Sequence, residues 1–71
     1  MKVFDFGQLR MARRRCHLKQ EEVAHVLHVT RSTISNMENG TVKVAAEDLA
    51  VLANLFGMQV EDFYIERIGT R

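Results

Sequence analysis

The sequence predicts an all-α domain, and three observations carry that prediction. Apolar residues recur at spacings of three and four through most of the chain, the repeat of one helix face. Proline is absent and no β-branched run alternates with period two, which argues against strands. Residues that start or stop helices fall between the periodic segments, with Thr30 before one, and Asn39-Gly40 and Gly57 after two others.

Met1 to Val3 reads as a short tail. Asp5 favours the start of a first helix over about 5–16, because its charge suits the positive end of the helix dipole. Phe6, Leu9, Ala12 and Cys16 form its apolar side, and Arg10, Arg13, Arg14 and Arg15 fill most of the rest. Arg13 and Arg14 lie roughly 100° apart on a helix of 3.6 residues per turn, so they cannot share one task. Cys16 reads as a small core hydrophobe, since no base is placed beside it.

A second helix is predicted over about 20–27, with Val23, Ala24 and Leu27 facing inward. Lys19 brings no acceptor to its first N–H groups, and Glu21 and Glu22 compensate in part through the dipole. Thr30 can accept from the N–H of Ser32 or Thr33, so a third helix begins at Arg31 and runs over about 31–39. Ile34 and Met37 face inward on it. Arg31, Ser32, Ser35 and Asn36 therefore face outward, with Thr33 near the boundary. A fourth helix covers about 46–56, with Leu49, Leu52, Ala53 and Phe56 at core spacing and Gly57 as its stop. Val44 and Ala45 give it no side-chain cap. A fifth helix is predicted over about 60–66. Phe63, Tyr64, Ile65 and Ile68 supply more apolar surface there than one helix edge can hide, so residues 58–71 are expected to carry a dimer contact through these four.

Seventy-one residues make one domain, 1–71, and a single cysteine excludes an intramolecular disulfide. No apolar run approaches the ~18 residues of a membrane span, and nothing near Met1 resembles a signal peptide. A reduced, cytoplasmic protein is expected. The net charge of +1 is unevenly spread. Residues 1–20 hold six basic residues and one acid, whereas residues 21–71 hold four basic residues and eight acids. Such a basic end suits a polyanion on one face.

Helices two and three are joined by so few residues that they must cross steeply, and Ala24 is small enough to let them approach. That is helix-turn-helix geometry over about 20–40. The stretch resembles the Cro/cI-like family of phage repressors, also called the xenobiotic-response-element type. The matching residues are Gln20 opening one helix, Ala24 at the crossing, Ile34 and Met37 behind the next, and Glu38-Asn39-Gly40 closing it. Arg13 upstream and the run Leu49, Leu52, Ala53, Phe56, Gly57 extend the likeness over about 6–64.

The resemblance implies a compact five-helix fold like that of lambda repressor. It also implies a protein that binds double-stranded DNA, expected here as a transcriptional repressor, and the dimer contact over 58–71 would make it a homodimer on a palindromic site. Its base-reading positions fall on Arg31, Ser32 and Asn36, and Thr33 beside them is expected to share in specificity, all residues whose hydrogen-bonding groups suit base edges. Phosphate contacts are expected from Arg13, Lys19, Gln20, Thr30, Asn39 and Lys43, with Gln20 at a helix N-terminus that favours an anion. Arg13 is further expected to pair with Glu38. His17 and His28 stand where the family often has glycine in a positive-φ turn, so strain is expected at His28. Antitoxins and restriction-modification controllers share this domain. An antitoxin would add a toxin as protein partner, and a protein-interaction module without DNA binding is a further alternative. The spacing of Cys16, His17, His25 and His28 matches no common zinc pattern, so neither metal nor cofactor is expected. Paired carboxylates, a nucleophile with its base and a glycine-rich phosphate loop are all missing, so no enzyme is expected.

Overall fold

The computed structural model describes residues 1–66. Along the chain run β1 (Lys2–Phe4), α1 (Gly7–Arg15), α2 (Gln20–Leu27), α3 (Arg31–Asn39), α4 (Ala46–Phe56), a 3-10 turn (Val60–Phe63) and β2 (Tyr64–Glu66). Among the described residues this is a mostly helical domain of four α-helices with a short antiparallel ribbon.

The ribbon corrects three expectations. The domain is not all-α, because two short strands pair; there is no fifth helix over 60–66; and the first residues are not a tail. Gln59 N–H donates to Asp62 Oδ2 at 3.0 Å, and Asp62 N–H donates to Gln59 O at 2.9 Å. These bonds close a single tight turn. Tyr64 then leaves it in extended conformation, at φ −111° and ψ 137°. β2 pairs with β1 in the register Lys2–Glu66, Val3–Ile65 and Phe4–Tyr64. Beyond the ribbon, Asp5 N–H donates to Phe63 O at 2.8 Å. Backbone groups that a fifth helix would have satisfied locally are thus satisfied by a segment some sixty positions away. The aromatic rings of Phe4 and Tyr64 meet edge to face, with centroids 5.6 Å apart.

The other helices lie close to their predicted limits, and their ends show why. Asp5 Oδ1 accepts from Gly7 N–H at 3.1 Å, which starts α1 two residues later than predicted. Lys19 cannot cap α2, but Glu22 reaches back and its Oε1 accepts the Lys19 N–H at 2.7 Å, the return half of a capping box. Thr30 Oγ1 accepts from Thr33 N–H at 3.2 Å at the start of α3.

All four helices end in the same way, with a left-handed residue followed by a bond that spans five positions. His17, His28, Gly40 and Gly57 have φ of 59°, 59°, 81° and 68°. The residues after them donate N–H to Arg13, Ala24, Asn36 and Ala53 carbonyls at 3.1, 3.0, 3.0 and 2.8 Å. Two of these stops are histidines, which carry a Cβ into a region where it is strained. Gly40 is needed for a second reason: a Cβ there would stand 2.5 Å from the Phe6 ring.

The core comprises Leu9, Ala12, Val23, Ala24, Ile34, Met37, Leu49, Leu52, Ala53, Phe56 and Phe63. Phe63 is the most deeply placed, at 0% exposure. It is therefore unavailable to a second protomer, which removes it from the expected dimer contact.

Candidate nucleic-acid interface

The turn between α2 and α3 aims the outer face of α3. His28 reverses the chain, and Val29, half-buried, packs against the core. Ile34 and Met37 then bury the rear of α3, leaving Arg31, Ser32 and Asn36 exposed on its front. Thr33 and Ser35 are half-buried, and the Thr33 hydroxyl lies 3.0 Å from that of Thr30. No acid lies on the exposed front.

Glu38 roots this face in the rest of the domain. It is buried, and Arg13 grips it from α1 with two bonds, Nε to Oε2 at 2.6 Å and Nη2 to Oε1 at 3.1 Å. Arg13 also donates from Nη1 to Leu18 O at 2.9 Å. Gln20, at the head of α2, donates from Nε2 to Glu38 Oε1 at 3.0 Å and accepts from Arg31 Nη1 at 3.3 Å. Arg10 Nε lies 3.5 Å from Glu38 Oε1, while its Nη2 donates to Asn39 Oδ1 at 3.1 Å. Burial alone would raise the pKa of Glu38. The hydrogen bonds from Arg13 and Gln20, with the Arg13 charge behind them and a smaller share from Arg10, outweigh burial and hold the carboxyl below its ordinary range.

These side chains border an open cleft of about 590 Å³. Arg10, Arg13, Arg14, Lys19 and Arg31 line it against one acid, Glu21. Of the residues singled out for phosphate, Arg13, Lys19 and Gln20 therefore meet in one place, together with Arg31 from the base-reading set. Asn39, exposed, joins them through Arg10. Thr30 lies at the head of α3, and Asn36 uses its carbonyl to hold Thr41 N–H at 3.0 Å, tying down the following loop. Lys43 lies apart, beside a second cavity of about 430 Å³ lined by Phe4, Phe6 and Tyr64 among others. Tyr64 and Ile65 are exposed on the ribbon, whereas Ile68 lies outside the described residues.

Sequence reasoning assigned no role to Arg10 and no second partner to Glu38. The spacing of Arg10 and Arg13, three residues apart on one helix, was the available signal, because it places both on the side facing the end of α3.

The helices and the 3-10 turn coincide with a known domain. A family model described as "Helix-turn-helix domain" matches residues 7–63. Among curated proteins, no match is found. With most of its length covered, the chain belongs to the helix-turn-helix domain family.

Proposed function

We propose that this chain is a sequence-specific duplex-DNA-binding transcriptional regulator of the Cro/cI-like type, acting in the cytoplasm as a homodimeric repressor on a palindromic operator. The observation that carries this reading is the acid-free front of α3, with Arg31 held at its head by the Glu38–Gln20 chain. Arg31 has a planar donor pair suited to the O6 and N7 of guanine, and Asn36 can serve adenine in the same manner. Ser32 and Thr33 complete the base-reading set. Lys19, Gln20, Thr30, Asn39, Lys43 and an arginine of α1 serve the sugar–phosphate backbone, which fixes register without reading sequence. Tyr64 and Ile65 give the ribbon an apolar surface for a two-fold partner. Such a pair would set two α3 helices about 34 Å apart, one turn of duplex.

Selection of bound sites from a random duplex library tests the proposal, run with the wild type and with Arg31→Ala. The substitution is expected to cost about 1–3 kcal/mol and to relax preference at one base pair. Equal losses on selected and random duplex would remove Arg31 from the reading set. Failure to retain any duplex at low salt would remove DNA as the target.

A further inference from the structure

The two arginines on Glu38 are unequally placed. Arg13 is 8% exposed and commits three N–H groups to Glu38 and the Leu18 carbonyl. A guanidinium has five such groups, so Arg13 has two left and little surface from which to offer them. Its charge is also matched by the carboxylate it grips. Arg10 is different. Its side chain is 43% exposed, it donates to the neutral amide oxygen of Asn39 at 3.1 Å, and its ion pair with Glu38 is longer, at 3.5 Å. One carboxylate cannot neutralise both, so Arg10 carries the surplus positive charge.

Position adds a second argument. Arg10 borders the basic cleft and at the same time holds Asn39 at the end of α3. Because Arg10 donates to Oδ1, the Asn39 amide is fixed with its NH2 as the remaining donor, and no hydrogen bond occupies that NH2 among the described residues. A cation and an oriented amide donor side by side make a fitting receptor for a phosphodiester oxygen.

We propose that Arg10, rather than Arg13, is the α1 arginine that neutralises a DNA phosphate, and that it does so together with the Asn39 NH2. Arg13 then serves as the tie between α1 and α3. This rests on the DNA-binding reading and refines it, and it relocates the contact by one helical turn. Arg10 has no role in base choice, so its effect is the same on every duplex.

The test is the salt dependence of binding to a non-cognate duplex, measured for wild type, Arg10→Ala and Arg10→Lys, with thermal melting of each. Loss of one neutralised phosphate is expected to make the slope of log affinity against log salt shallower by about 0.9 in Arg10→Ala. Arg10→Lys, which keeps the charge, should restore the slope. A wild-type slope in Arg10→Ala overturns the proposal, and a lowered melting temperature alongside it would assign Arg10 to packing alone. If the wild type retains no duplex at low salt, the DNA-binding reading falls first and this assignment with it.

Discussion

The α2–α3 centre and the β1–β2 ribbon are built on opposite principles. In the centre, each decision is local: Thr30 caps its own helix, Glu22 closes the N-terminus three residues before it, and His28 ends the helix in which it stands. In the ribbon nothing is local. Lys2, Val3 and Phe4 become a strand because Glu66, Ile65 and Tyr64 lie beside them. The contrast teaches that the anchoring of each region is a separate matter from its surface. Glu38 anchors the centre and Phe63 anchors the ribbon, and both are buried.

The largest expected effect strikes the centre. Glu38→Ala leaves the buried Arg13 guanidinium without its partner, and unfolding free energy should fall by about 3–5 kcal/mol. A denaturant midpoint close to wild type would show that the tie is incidental. Phe63→Ala should cost the ribbon side about as much, roughly 3–5 kcal/mol, since a fully buried ring leaves a cavity. Denaturant unfolding would test it, and a loss below about 1 kcal/mol would mean that the ribbon holds without its anchor.

Acid provides a milder probe of the same centre. Because the folded Glu38 carboxyl has a depressed pKa, its contribution is present above the unfolded value of about 4.3 and is lost as pH falls through the folded value. Melting temperature should therefore decline below about pH 4 in the wild type. The decline should be weaker in Glu38→Gln, and identical profiles would place the acid sensitivity elsewhere. The smallest effect concerns the turn. His28→Gly relieves a left-handed backbone and should raise stability by up to ~1 kcal/mol, seen as a higher melting point. An unchanged melting point would mean that histidine bears φ 59° without strain.

Why one region was legible and the other was not follows from the same contrast. Helices α2 and α3 have the limits expected from spacing and caps, since both signals lie within a few residues of what they control. The strands are three residues each, too short for a period-two pattern to declare itself. Val60 to Glu66 carried a helix-like apolar spacing, but the Gln59–Asp62 turn and the distant β1 partner overrode it. At the site, the outward face of α3 could be read from Ile34 and Met37. The Arg10–Asn39 bond could not, because it joins residues 29 positions apart and depends on how α1 packs.

The ribbon's register has a mechanical consequence. Lys2 and Glu66 are paired at the end of the ribbon away from Phe63. A force that draws these two residues apart would load the cross-strand bonds one after another, like a zip, rather than all at once. The ties of Arg13 and Gln20 on Glu38 lie outside the ribbon, so such a pull would load the ribbon before the centre.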